Sequence, residues 1–326
     1  MKIAVFEVRN DEKQFLQQAA KRMNVTLAMT EQPLTDHTIS QVQGSEGVSI
    51  LGQSPMDEKI LEKLKEKGVK ALSTRTIGFN HIDLAAAHRM GIRVSHANYP
   101  PNGVADFTVM LMLLTLRNYK PAMWRQNVND YSLTGLRGRE LRSLTVGVMG
   151  TGSIGRTVMQ NLSGFGCRLL AYDKFQDARA AGLARYVPLE TLLRESDVIT
   201  LHMPLTPETD HIIDRKALSK MKDGVVLINT ARGALTDIHA LTEGIETGKI
   251  GALGMDVLEK EEGIYHNDLR TDIIKNRDMV YLRQFPNVVL TQHMAFYTEE
   301  SVRSMADCGI ETLCDMLTGK SCPLEL

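Results

Sequence analysis

The sequence predicts an α/β protein built from two parallel-sheet units, and three observations carry that reading. Short apolar runs of strand length alternate with longer helical patterns along the whole chain, the signature of parallel strands joined by crossover helices. The runs fall into two series separated by a Pro-Pro-Asn-Gly turn, Pro100 to Gly103. The 326 residues also exceed what one compact core ordinarily holds.

The first series comprises residues 2–6, 25–29, 47–51, 71–74 and 93–95, with helical patterns such as 57–66 and 83–90 between them. Its opening stretch, Met1 to Glu7, has the length of a strand rather than of a secretory leader. After the turn, residues 104–116 read as a helix that is apolar on nearly every face, which requires cover all round. The second series is more regular, with strand-like runs at 145–150, 168–172, 198–201, 225–229, 251–256 and 288–291, spaced as in a dinucleotide-binding fold. Residues 263–284 are polar and weakly periodic and are expected to form a surface loop. Residues 299–317 place Val302, Met305, Ile310, Leu313 and Leu317 at helical spacing, as in a helix packed on something already built.

Composition narrows the partners. The chain is 43% hydrophobic and 24% charged, ordinary globular usage, and its 38 basic against 39 acidic residues leave no basic field for nucleic acid or anionic lipid. The longest apolar run, 107–116, is far shorter than the ~20 residues that span a bilayer. Four cysteines occur without a CxxC pair or the histidine partners of a zinc site, so no metal is expected and the thiols are read as reduced and buried, in a cytoplasmic protein.

Gly150, Gly152 and Gly155 stand in G-x-G-x-x-G spacing directly after one predicted strand and at the start of a helix. The first glycine permits a tight turn, the second lets pyrophosphate approach the backbone, and the third lets helix and strand pack closely. The phosphates then meet the free N–H groups and positive end of the helix, at Ser153 and Ile154. Asp173 ends the next strand about 20 residues on, where a carboxylate accepts hydrogen bonds from the adenosine ribose. A carboxylate there repels a 2′-phosphate, so NAD is expected rather than NADP.

Polar residues that stop apolar strands are the next candidates, because ligands of an open parallel sheet sit beyond the carboxyl ends of its strands. Residues 225–229 run into Arg232, 251–255 into Asp256 and then Glu259 and Glu261, and 288–292 into His293. An arginine, a carboxylate and a histidine suit reduction of a 2-oxo acid by NADH. Protonated His293 would neutralise the developing alkoxide. A neighbouring carboxylate would favour its charged form. Arg232 has the planar fork that grips a carboxylate and polarises the adjacent carbonyl. Taken singly each has a plainer reading: Arg232 as a carbonyl cap, Glu261 as one solvated member of an acidic run, His293 as a loop histidine.

On the blocks Ser73 to Asp83, Gly150 to Gly155, Asn229 to Gly233, Met255 to Glu261 and His293 to Thr298, the chain resembles the D-specific 2-hydroxyacid dehydrogenases over nearly its whole length. It is most similar to the branch of D-lactate dehydrogenases, including those of vancomycin resistance, and bacterial phenyllactate dehydrogenases. The resemblance implies two Rossmann-like, doubly wound domains: a discontinuous substrate domain, 1–98 plus 297–326, and an NAD-binding domain, 99–296. It places catalysis on Arg232, Glu261 and His293, selecting Glu261 over Glu259. It further implies substrate contacts at Ile77, Gly78, Tyr99 and Tyr297, and NAD contacts at Val104, Met203, Pro204, Thr209, Thr230 and Asp256. A homodimer is implied, with the helix from Val104 at its interface. Two departures stand out. Gln292 occupies the place where the family commonly has proline, and no tryptophan occurs in Asp130 to Leu133, where some small-substrate relatives carry one. The only tryptophan, Trp124, is read as a packing residue.

Pyruvate is the first expected substrate, with phenylpyruvate or 2-oxoisocaproate as bulkier alternatives. A formate dehydrogenase is disfavoured because Glu261 keeps a carboxylate, and a phosphoglycerate dehydrogenase because the chain has no room for a regulatory domain. The competing class is an NAD-binding corepressor scaffold, which simple turnover with a 2-oxo acid would exclude.

Overall fold

The inner strands of both sheets are largely buried on both faces, as parallel strands covered by helices must be. The computed structural model describes residues 1–326, which divide into two units, Met1–Pro100 with Tyr297–Leu326 and Pro101–Phe296. In the first unit β1 (Lys2–Val5), β2 (Thr26–Met29), β3 (Gly47–Ile50), β4 (Ala71–Thr74) and β5 (Arg93–His96) form a parallel sheet in the order β2-β1-β3-β4-β5. Asp57 and Asp83 cap the helices Glu58–Glu66 and Leu84–Arg89 by accepting from Ile60 N and Ala86 N, the usual service of a short acidic side chain at a helix start. The last helix, Glu299–Leu317, returns to this sheet. Its Val302, Ala306, Ile310 and Leu313 share a core with Ile3, Val5 and Leu16, and Ser73 Oγ donates to Gly309 O at 2.8 Å.

The second unit carries β6 (Thr145–Met149), β7 (Arg168–Tyr172), β8 (Arg185–Tyr186), β9 (Val198–Leu201), β10 (Val225–Asn229), β11 (Ile250–Met255) and β12 (Val288–Leu290). They lie parallel in the order β12-β11-β10-β9-β6-β7-β8. The order reverses between β6 and β9, so the crevice beyond their carboxyl ends is the place for a ligand.

Three expectations need correction. β8 was not foreseen: two residues at a sheet edge, one of them exposed, leave no apolar run to read. The stretch 263–284 is not all loop, since Asn276 caps a helix Arg277–Arg283 whose Met279 and Leu282 are buried; two inward residues among charged neighbours are too sparse to show a period. Trp124 is 47% exposed rather than packed away, with Lys120 Nζ 4.7 Å above its ring.

The helix Asn102–Leu116 buries Val104, Ala105, Thr108, Val109, Leu111, Met112 and Leu116, while Met110 is exposed and Leu113 and Leu114 are half-buried. Its cover within the chain is therefore one-sided. All four cysteines are free, with Cys314 and Cys322 buried and Cys167 and Cys308 half-buried. No helix is long and apolar enough to cross a membrane.

Candidate active site

The glycine turn follows β6 and opens the helix Ser153–Ser163. Gly150 has φ +92°, the left-handed region, and a Cβ there would lie 2.5 Å from the His202 carbonyl carbon. A Cβ on Gly155 would lie 2.0 Å from Gly150 O, so helix and turn pack at a distance only glycine allows. Over Gly152 there is open space, with nothing within 4 Å of a would-be Cβ. Two closed positions flanking an open one make a cradle for a pyrophosphate at a helix start, and the residues present fit a dinucleotide. Behind the turn, burial holds His202 neutral, its pKa pushed down to about 3.

Asp173 follows β7 and faces back to this turn. Its Oδ2 accepts from Thr151 N at 2.6 Å and Thr151 Oγ1 at 3.1 Å, and its Oδ1 from Phe175 N at 3.0 Å.

The second cluster stands on adjacent strand ends. In the register Asn229 pairs Met255 and Met255 pairs Leu290, so Arg232, Asp256 and His293 follow neighbouring strands by one to three residues. His293 Nδ1 lies 2.5 Å from Glu261 Oε1, and Glu261 Oε2 accepts from Leu258 N at 2.6 Å. A carboxylate can only accept, so Nδ1 carries the hydrogen and Nε2 is left for chemistry. Glu259 instead lies 3.4 Å from His211.

The buried Asp256 carboxylate organises the loop around this histidine. Oδ1 accepts from Thr291 Oγ1 at 2.6 Å and Met294 N at 2.9 Å, and Oδ2 from Ala295 N at 2.8 Å. Its own carbonyl takes His293 N at 2.8 Å, and His293 is held at φ +52°. Asn229 spans the arginine turn in the same way, accepting from Ala231 N at 3.0 Å and donating to Arg232 O at 2.8 Å. A Cβ on Gly233 would fall 2.2 Å from the Leu258 carbonyl carbon, so this turn rests directly on the loop that bears Glu261. The half-buried guanidinium donates to Ala231 O at 2.7 Å and pairs with no carboxylate of the chain.

A histidine on a carboxylate, an arginine without a counter-ion and a glycine turn open to a pyrophosphate, all on one sheet, are groups that suit a dehydrogenase. Comparison with known proteins agrees: residues 109–295 match the model of the family described as D-isomer specific 2-hydroxyacid dehydrogenase, NAD binding domain. The chain belongs to this family. It is 41% identical over 315 residues to an aromatic 2-oxoacid reductase of Clostridium sporogenes, covering 96% of this chain and 95% of that one. It is 39% identical over 328 residues to a D-lactate dehydrogenase of Escherichia coli K12, covering 100% of both. The NAD-complexed D-isomer specific 2-hydroxyacid dehydrogenase of Lactobacillus delbrueckii superposes with a TM-score of 0.87 at 31% identity, over 100% of both chains. The cofactor of this 2-hydroxyacid dehydrogenase is NAD.

The remaining expected residues of the dehydrogenase divide by environment. Val104 and Met203 are buried, Met203 in the core of the second unit. Thr230 Oγ1 is 2.9 Å from Thr108 Oγ1, and Thr209 Oγ1 donates to Pro204 O at 2.7 Å, closing the loop after β9. In the first unit Ile77 and Gly78 are half-buried beyond β4, with Thr76 Oγ1 donating to Gly78 O at 2.6 Å. Tyr99 is half-buried, and Tyr297 is exposed with the Arg9 guanidinium 5.5 Å from its ring centre. Burial, and then Asp11, push the Tyr297 hydroxyl pKa up. Sequence reasoning missed Thr151, Asn229 as a clamp and the loop-holding work of Asp256. A buried polar residue ending an apolar strand was the signal available for Asn229 and Asp256.

Proposed function

We propose that this enzyme reversibly reduces a 2-oxo acid to the D-2-hydroxy acid with NADH, pyruvate to D-lactate being the first reading. The observation that carries it is the His293–Glu261 pair on the same rim of the sheet as an arginine that has no counter-ion of its own. Bound NADH supplies the hydride. The glycine turn from Gly150 to Gly155, with Ser153 and Ile154 at the helix start, holds the pyrophosphate, and Asp173 takes the adenosine ribose. Val104, Met203, Pro204, Thr209, Thr230 and Asp256 complete the cofactor's surroundings. Arg232 grips the substrate carboxylate and polarises the ketone, and His293 Nε2 delivers the proton to the ketone oxygen as charge develops there. Residues 1–98 with 297–326 are assigned as the substrate domain, contributing the Ile77 and Gly78 amides, Tyr99 and Tyr297; residues 99–296 are assigned as the cofactor domain.

The name of the Clostridium relative favours a second reading, an aromatic 2-oxo acid, and the segment Asp130 to Leu133 offers no tryptophan to restrict the substrate. Specificity constants for pyruvate, 2-oxoisocaproate and phenylpyruvate, measured with NADH, test the choice directly. No turnover of any of the three would overturn the proposal.

Arg232→Lys is expected to lower kcat/KM roughly 10- to 100-fold despite its preserved charge, because an ammonium cannot make the two-pronged contact whose charge-assisted bonds contribute ~1.5–3 kcal/mol. A value near that of the unaltered enzyme would make Arg232 structural. Reduction needs a proton delivered from His293 Nε2, and the Glu261 carboxylate, which can only accept, keeps the other ring hydrogen on Nδ1. Glu261→Gln should therefore lower kcat for pyruvate reduction, because an amide can turn its NH2 toward Nδ1 and no longer fixes the tautomer. An unchanged kcat would remove Glu261 from the proton-transfer step.

A homodimer completes the proposal. Met110, Leu113, Leu114 and Phe165 form an apolar face on the second unit that the chain leaves uncovered. Light scattering should report twice 36.3 kDa, and Leu113→Asp should dissociate the dimer. An active, monodisperse monomer would refute it.

A further inference from the structure

We propose that Tyr186, on the short edge strand β8, sets the preference for NAD over NADP at second hand, by positioning Asp173 through Thr151. The inference rests on the reading that Asp173 meets the adenosine ribose. Its basis is a one-way chain of hydrogen bonds. Asp177 N donates to Tyr186 Oη at 3.0 Å, Tyr186 Oη donates to Thr151 Oγ1 at 2.7 Å, and Thr151 Oγ1 donates to Asp173 Oδ2 at 3.1 Å. An amide can only donate and a carboxylate can only accept. The carboxylate therefore fixes the Thr151 proton, Tyr186 directs its own to Thr151 Oγ1 at 2.7 Å in preference to Asp177 O at 3.5 Å, and bonds aligned in this way polarise one another.

Asp177 is itself anchored. Arg156 Nη1, on the helix that follows the glycine turn, donates to its Oδ2 at 2.9 Å, and Arg179 also pairs with it. The loop after β7, the edge strand and the phosphate-binding helix are thus tied into one polar ring.

The consequence lies at Asp173. An ionised carboxylate offers about four acceptor directions. Thr151 N and Thr151 Oγ1 fill those of Oδ2, and Phe175 N takes one on Oδ1. What remains open is one direction on Oδ1, and the chain from Tyr186 prevents the carboxyl group from turning away from it. A ribose hydroxyl can donate into that direction, whereas a 2′-phosphate meets a fixed negative charge. Without the Tyr186 hydroxyl, Thr151 Oγ1 is free to rotate, and the carboxylate keeps its charge but loses its fixed aim. Tyr186 is a positioning residue, since it acts through Thr151 and Asp173.

The test is the ratio of dissociation constants, NADPH over NADH, from fluorescence titration of the dimer without substrate. One neutral hydrogen bond contributes ~0.5–1.5 kcal/mol, so Tyr186→Phe and Thr151→Val should each lower the ratio roughly 2- to 10-fold. Thr151→Ser keeps the hydroxyl and should restore the ratio. The double variant Tyr186→Phe/Thr151→Val should lower it no further than either single change, since both break one chain. A residue that merely held the fold would weaken both dinucleotides alike and leave the ratio unmoved. If Tyr186→Phe and Thr151→Val leave the ratio unmoved while Asp173→Ala lowers it, Tyr186 has no part in selectivity and the proposal is overturned. If Asp173→Ala leaves it unmoved as well, the ribose-binding reading of Asp173 fails and this inference fails with it.

Discussion

His293→Ala is expected to lower the turnover number for pyruvate reduction by the ~10²–10⁴-fold that accompanies loss of a positioned general acid, with NADH binding by fluorescence close to that of the unaltered protein. The size of the effect follows from how little else can supply the proton. Glu261 is committed to His293 Nδ1 and Leu258 N, and Asp256 is buried under donors from Thr291, Met294 and Ala295. The hydrogen on Nδ1 fixes the tautomer, so Nε2 is the atom left free to take up and release a proton. Alanine keeps a Cβ at this left-handed position and adds no backbone strain beyond that already present at φ +52°. The contacts that hold the loop, from His293 N to Asp256 O and from Met294 N and Ala295 N to its carboxylate, are all backbone donors and survive the change. A turnover number within about threefold of the unaltered enzyme would mean that another group delivers the proton.

What the sequence made legible was what burial writes into it. Strands β6, β9 and β10 are covered on both faces, so 145–149, 198–201 and 225–229 read as largely apolar runs, and the polar residues Arg232, Asp256 and His293 that follow β10, β11 and β12 mark the expected ligand side of the sheet. The glycines were legible because two close approaches of backbone to backbone, at Gly150 and Gly155, leave no other residue type, and Gly152 keeps the space between them open. The chain from Asp177 through Tyr186 and Thr151 to Asp173 was not, because a hydroxyl carries no trace of its partner and Tyr186 lies 35 residues from Thr151. Asp256 was read as a cofactor residue by resemblance. Its three donors lie 35 to 39 residues downstream, in a loop whose shape only the fold brings back. Arg75 shows the same limit from the other side. It lies inside the block Ser73 to Asp83 that carried the family resemblance, where nothing in composition or spacing distinguishes a buried ion pair from a substrate-binding arginine.

Arg75→Met should destabilise the unit formed by Met1–Pro100 and Tyr297–Leu326 by about 3–5 kcal/mol, the cost of leaving a buried charge without its partner. The Arg75 and Glu12 side chains are both fully buried, with Arg75 Nη2 3.1 Å and Nε 3.4 Å from the carboxylate. The rest of the guanidinium is used as well. Nη2 also donates to Phe6 O at 2.8 Å, and Nη1 to Ser49 Oγ at 3.1 Å, so one side chain ties β3 and β4 to the chain leaving β1. Methionine fills much of the volume but offers no donor to these groups. The nearest remaining cation, Arg9, is 3.8 Å from Glu12 and partly in water, too screened to replace a buried partner. The space does not tolerate rearrangement, since a Cβ on Gly309 of the last helix would already lie 2.7 Å from Arg75 Cγ. Thermal denaturation should show the loss, and hydrogen exchange should place it in the amides of β1, β3 and β4 rather than in those of β6 to β12. The double variant Arg75→Met/Glu12→Leu removes both charges and should recover much of the stability, because most of the cost comes from the abandoned carboxylate. If the single variant melts with the unaltered protein, or the double variant is no better than the single, the pair contributes far less than its burial implies.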